Sequence, residues 1–142
     1  MKLESLQPLN WMEVMEVDVP EIDADHRSLL RECNALMTMV QTDADWSATA
    51  AASRQMIAHF ADHFRLEEAV LAQSKFPRLQ DHVRDHGRIA ANLERLVGEI
   101  ERAEGSRDAM IAKVAALRAA LVDIFLKHDL DYKSHLLVAQ GR

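Results

Sequence analysis

Residues 56–71 read Met56-Ile57-Ala58-His59-Phe60-Ala61-Asp62-His63-Phe64-Arg65-Leu66-Glu67-Glu68-Ala69-Val70-Leu71. Met56, Phe60, Phe64 and Leu71 recur at the spacing of one face of an amphipathic helix. His59, His63 and Glu67 stand four residues apart, so successive members drift only about 40° around that helix and share a face. That polar row borders the apolar stripe. A helix with an ordinary core seam therefore carries imidazoles and a carboxylate along its edge.

Working outward, punctuation residues cut the chain into four long segments behind an arm. The arm, residues 1–20, holds Pro8, Trp11 and Pro20 and shows no sustained helical period. Leu29, Leu30, Cys33, Leu36, Met37 and Val40 predict a first helix over about 21–42. Thr42-Asp43-Ala44-Asp45 forms a turn, and the second helix runs over about 46–74. Pro77 opens a third, over about 77–103, because proline is tolerated in a first turn. Gly105-Ser106 breaks the chain, with Ser106 as N-cap, and Met110, Val114, Leu117, Leu121 and Phe125 carry a fourth helix over about 107–138. Connections this short make successive helices antiparallel neighbours. The expectation is an all-α, single-domain, up-down-up-down antiparallel four-helix bundle spanning 1–142, with an N-terminal arm.

Composition narrows the class. Of 142 residues, 49% are apolar and 28% charged, and only four are Gly and three Pro. So few turn formers argue against an all-β chain and against disorder. Cys33 is the single cysteine, which excludes an internal disulfide framework. No apolar run approaches the ~18 residues of a membrane span, and the opening MKLESLQPLN lacks a signal-peptide core. A cytoplasmic monomer without a membrane partner is the expectation. A net charge of −6 argues against nucleic acid.

Seven histidines are left to explain. On the third segment, His82 and His86 fall on the inner stripe with Leu79, Val83, Ile89, Ala90 and Leu93. On the first, His26 precedes Leu29 and Leu30 by three and four residues and also points inward. A lone buried histidine is usually satisfied by a backbone carbonyl, and a His/Glu pair four apart is usually a surface ion pair. Several inward imidazoles with a carboxylate cost several kcal/mol if nothing compensates their burial. A metal centre removes that cost, since neutral histidines and ionised carboxylates become ligands. The donors are nitrogen and oxygen without thiolate, and too numerous for one tetrahedral ion. Two ions bridged by carboxylate, iron or manganese, fit better. Ferritin-like bundles use Glu-x-x-His pairs, whereas this chain has His-x-x-x-Glu and His-x-x-x-His.

Ile22-Asp23-Ala24-Asp25-His26-Arg27-Ser28-Leu29 resembles the first-helix motif of the hemerythrin family. His63-Phe64-Arg65-Leu66-Glu67-Glu68 is similar to its HFxxEE motif, and Phe76-Pro77 followed by His82-x-x-x-His86 matches its third segment. Trp11 is typical of bacterial members, and the resemblance runs from about Trp11 to Leu136. It implies reversible dioxygen binding, for carriage, storage or sensing, at an oxo- or hydroxo-bridged pair of non-haem iron ions. On this resemblance His26 and His63 hold one iron, His82 and His86 the other, and Glu67 bridges both. Dioxygen or another small diatomic molecule is the implied partner.

The fourth helix departs from the family pattern, which there supplies a histidine and, five residues later, an aspartate. Aligned without gaps from the tail, Asp129 becomes the second bridge, but Ile124 stands at the histidine position. Ala120 then replaces an aromatic residue that walls the oxygen pocket. The rival alignment makes His128 the ligand and deletes about one helical turn. Ile124 and Asp129 lie ~140° apart and straddle the stripe of Leu117, Leu121, Phe125 and Tyr132, while His128 points near its middle, about 6 Å further along. The ungapped alignment is preferred, because a deletion inside a ligand-bearing helix shifts everything beyond it. An incomplete ligand set and an opened pocket would bind the two metals unevenly and favour autoxidation. They also fit the alternatives, a di-iron oxidase or peroxidase and metal storage.

The remaining residues read more plainly. His59 suits hydrogen bonding behind the site or packing, and stands where the family often has tyrosine. His135 suits a helix C-terminus. Cys33 and the methionines are core filler. Glu68 points ~100° away from Glu67, either to solvent or to support the site from outside.

Overall fold

The computed structural model describes residues 6–128 and 131–139, the side chain of His128 excepted. Five α-helices account for most of them: α1 (Pro20–Gln41), α2 (Trp46–Gln73), α3 (Leu79–Glu101), α4 (Arg107–Asp123) and α5 (Lys133–Ala139). Among the described residues there is no strand. Pro20 occupies the first turn of α1, where its missing N–H has no helical partner to lose. Ser106 accepts a hydrogen bond from the Ala109 N–H at 3.2 Å and so caps α4. Gly105 takes a left-handed φ of 83° in the turn before it, a conformation glycine adopts without steric cost.

α1 packs on α2 and α4, and α3 packs on α2 and α4, which closes a ring of neighbours. A large core fills the ring, with Leu29, Leu36 and Val40 of α1 against Phe60, Leu96, Ile100, Val114, Leu117 and Leu121. A second, smaller core holds Val17, Ile22, Leu71, Phe76, Tyr132 and Leu136. On α1, His26 falls between Ile22 of the small core and Leu29 of the large one. On α2, His63 and Glu67 fall between Phe60 and Leu71. On α3, His82 and His86 separate Phe76, just before the helix, from Leu93. A polar layer thus lies between two apolar ones.

The arm is pinned to this frame. Asn34 exchanges two hydrogen bonds with the Leu9 backbone, at 2.7 and 2.8 Å. The buried Asp23 carboxylate accepts the backbone N–H groups of Val17 (2.8 Å) and Asp18 (3.0 Å). Asp18 has a positive φ of 66°, so Asp23 holds the chain at a sharp bend into α1.

The fourth helix corrects the expectation of one run over about 107–138. α-Helical hydrogen bonding stops at Asp123, and Ile124–His128 form a π-helical turn before α5 begins at Lys133. A π turn closes its hydrogen bonds one residue later than an α turn, and such turns gather at functional sites. Projections at 100° per residue therefore fail beyond Asp123. The third helix also starts two residues later than expected, with Pro77 in the preceding turn.

Candidate metal centre

Glu67 is the hub. It is fully buried, and both its oxygens meet imidazole nitrogens from three helices. Oε2 lies 2.8 Å from His63 Nε2 and 3.3 Å from His26 Nε2. Oε1 lies 3.0 Å from His86 Nε2 and 3.4 Å from His82 Nε2. Tyr132, itself buried, donates its hydroxyl to Oε2 at 2.7 Å. His26–His63–Glu67 and Glu67–His82–His86 are therefore two triads sharing one carboxylate, each compact enough to hold an ion. Burial pushes the Glu67 carboxyl up, but hydrogen bonding with His26, His63, His82 and His86 outweighs this and holds it well below the usual carboxylate range.

The donor set fits metal better than it fits hydrogen bonds alone. A carboxylate offers about four lone-pair sites, yet four imidazoles and a phenol converge on Glu67. Two of the imidazoles are also committed at their far nitrogens. His63 Nδ1 lies 2.7 Å from Asp25 Oδ2, and His86 Nδ1 lies 2.6 Å from Glu68 Oε2. In a neutral ring, an N–H on Nδ1 leaves Nε2 with a lone pair facing those of Glu67, so each of these rings either carries a second proton and a positive charge or has a cation between Nε2 and Glu67. Two donors each ~2.1 Å from one ion stand about 3.0 Å apart at a right angle and about 3.4 Å apart at the tetrahedral angle. The observed 2.8–3.4 Å separations cover that range.

Apolar contacts shield both triads. Phe125 and His26 meet in a T-shaped contact with ring centroids 5.9 Å apart, and Phe64 stacks on His86 at 4.1 Å. Phe76 and Tyr132 flank His82. One side is more open. A cavity of about 730 Å³ lies between α3 and the end of α4, with His82, Ile89, Leu93, Ala120 and Ile124 in its wall and Arg78, Asp85 and Lys127 among its charged lining.

His26, His63, Glu67, His82 and His86 are thus brought together. Asp129 and the side chain of His128 lie outside the described residues. Ile124 is buried, and it lines the cavity beside His82. Glu68 backs His86, so of its two readings the one that supports the site from outside is what the geometry shows. His59 bonds carboxylates of α1 rather than joining either triad. His135 corrects its helix-terminus reading: it lies near the start of α5 and its Nε2 donates to the Ser74 carbonyl at 2.8 Å. Cys33 sits in the large core against Met56, and burial pushes its thiol up to about 12. Two partners escaped sequence reasoning. Tyr132 was visible only as a member of an apolar stripe, and Asp25 only as a motif letter.

The hemerythrin HHE cation binding domain matches residues 17–136 of the chain. The chain is also similar to myohemerythrin of Riftia pachyptila, at 25% identity over 136 residues that cover 96% of this chain and 100% of that protein.

Proposed function

The chain belongs to the hemerythrin HHE cation-binding family, and from that premise we propose that it binds dioxygen reversibly at two non-haem iron ions. The observation that carries this reading is the sharing of Glu67 between two histidine pairs on separate helices. His26 and His63 would hold one ion and His82 and His86 the other, with Glu67 shared between the two pairs. Asp129 is the proposed second carboxylate ligand, with His128 as a further donor.

The iron pair, when bound, supplies the redox-active Lewis acid at which a diatomic ligand docks. The protein's part is to hold, orient and dry that site. Asp25 and Glu68 fix the imidazole tautomers of His63 and His86, so each Nε2 lone pair faces inward. Tyr132 holds Glu67 from the side of α5. The two apolar cores flanking the polar layer limit the access of water and protons from those two sides, and the cavity beside His82 leaves another side open.

An antiparallel up-down-up-down arrangement within a single domain accompanies this reading. Its support is the alternating order in which the helices cross the layers. α1 runs from the small core to the large one, α2 runs back, α3 returns, and the chain from α4 reaches Tyr132 in the small core. Among the described residues no helix is long and apolar enough to cross a membrane.

The cavity beside His82 favours a second reading, an oxidase or peroxidase that admits molecules larger than dioxygen. Anaerobic reconstitution with ferrous iron, followed by metal analysis and assay with hydrogen peroxide and a reductant, separates the two. Two irons per chain without turnover is the outcome expected of the binding protein. Sustained turnover supports the enzyme, and fewer than two irons contradicts both.

A further inference from the structure

His59 stands one turn before His63 on α2, and its ring is clamped between two carboxylates of α1. Nε2 lies 2.7 Å from Asp25 Oδ1, and Nδ1 meets Glu32 Oε2 in a short contact. Asp25 and Glu32 are seven residues apart, two turns along the same face of α1. Asp25 is thereby held by both oxygens: Oδ1 takes His59, and Oδ2 takes His63 Nδ1 at 2.7 Å. A run of contacts leads from Glu32 through His59, Asp25 and His63 to Glu67.

We infer that His59 is a positioning residue for one half of the metal centre, acting on His63 through Asp25. With both ring nitrogens facing carboxylates, His59 carries two N–H donors and a positive charge, which balances part of the charge on Asp25 and Glu32. The Asp25 side chain is a quarter exposed, so without His59 water competes for Oδ1 and the carboxylate turns freely. His63 then loses the partner that fixes its ring and tautomer. The other half is built differently. His86 reaches Glu68 directly, and among the described residues no imidazole backs that carboxylate. Loss of His59 therefore acts on the His26–His63–Glu67 triad and spares Glu67–His82–His86. His59 and Asp25 also line a surface cleft with Glu21 and Asp62, so replacing His59 opens no core.

This inference rests on the two-metal reading, and one experiment tests them separately. The metal-free full chain is titrated with cobalt(II) under anaerobic conditions, followed by calorimetry and visible absorption. If the native chain takes up fewer than two ions, the two-metal reading itself fails. Given two binding steps, His59→Leu weakens one by about 10- to 100-fold and leaves the other within about twofold, the loss typical of a removed outer hydrogen-bond partner. His59→Gln, whose amide donates two hydrogens, restores most of the lost affinity, and Glu68→Gln weakens the other step instead. In the zinc(II)-loaded protein, the His63 Nδ1 proton exchanges with water faster in His59→Leu than in the native chain. Equal loss at both steps, no loss at either, or no recovery with glutamine overturns the assignment. If His59→Leu fails to fold by circular dichroism, Glu32→Gln, at a half-buried position, takes its place with the same expected selectivity.

Discussion

Tyr132 donates its hydroxyl to Glu67 Oε2 at 2.7 Å, joining residues 65 positions apart in the chain. The bond ties the chain beyond the π turn to the carboxylate that both histidine pairs share. Tyr132 is fully buried, so a phenyl ring keeps its packing while the donor is lost. Tyr132→Phe is expected to cost about 1 kcal/mol of unfolding free energy, as for one neutral-to-charged hydrogen bond partly offset by the other donors on Glu67. Metal content stays at two ions per chain. Denaturant titration with metal analysis checks both, and loss of an ion would mean that Tyr132 fixes the bridge itself.

Glu67 contacts all four imidazoles of the two triads. Glu67→Ala removes the shared ligand, so both ions should bind more than about 100-fold more weakly, beyond the loss from any single outer partner. Dialysis of the iron-loaded protein followed by elemental analysis reads this directly. Retention of two ions would remove Glu67 from the centre.

How much of this was legible in the sequence follows from helix geometry. His63 and Glu67, and His82 and His86, share faces because four residues turn a helix by nearly one revolution, and the structure keeps that spacing. The same rule misleads past Asp123, where the π turn changes the rotation per residue. Tyr132 looked like core because periodicity registers its ring and not its hydroxyl. His59 was legible as a residue for hydrogen bonding behind the site or for packing, but its partners Glu32 and Asp25 were not, since they depend on which faces of α1 and α2 meet. Glu68 was half legible: rotation puts it off the Glu67 face, and only the approach of α3 gives it His86 as partner.

The His59 clamp has a pH signature. Partial burial works against the charge on His59, but hydrogen bonds with Asp25 and Glu32 outweigh it and hold the pKa above its ordinary value. A raised folded-state pKa contributes stability that is complete below the unfolded value of about 6.5 and is lost as pH rises through the folded value. Burial likewise opposes ionisation of Asp25, yet its bonds with His59 and His63 hold it below its usual range. That contribution is lost only as pH falls through the Asp25 folded value. The melting-temperature gap between the metal-free native chain and His59→Leu should therefore be widest near pH 5–6.5, worth about 1 kcal/mol for a partly exposed cluster. It should narrow as the solution becomes alkaline. A gap independent of pH would show that packing, not charge, sets the contribution of His59.

Ala120 lines the cavity that reaches His82. Ala120 is half-buried at the edge of the large core with the cavity beyond it, so Ala120→Phe should fold at a cost of no more than about 1–3 kcal/mol. Stopped-flow mixing of the iron-loaded protein with azide should show entry slowed several-fold. Unchanged entry rates would place the route to the centre elsewhere.

Reversible dioxygen binding is tested most directly by the optical spectrum of the iron-loaded chain through repeated cycles of oxygenation and degassing. The expected result is an absorption band that appears with dioxygen and vanishes on degassing, with two irons retained per chain. A spectrum indifferent to dioxygen, or one that changes once and never returns, would contradict it.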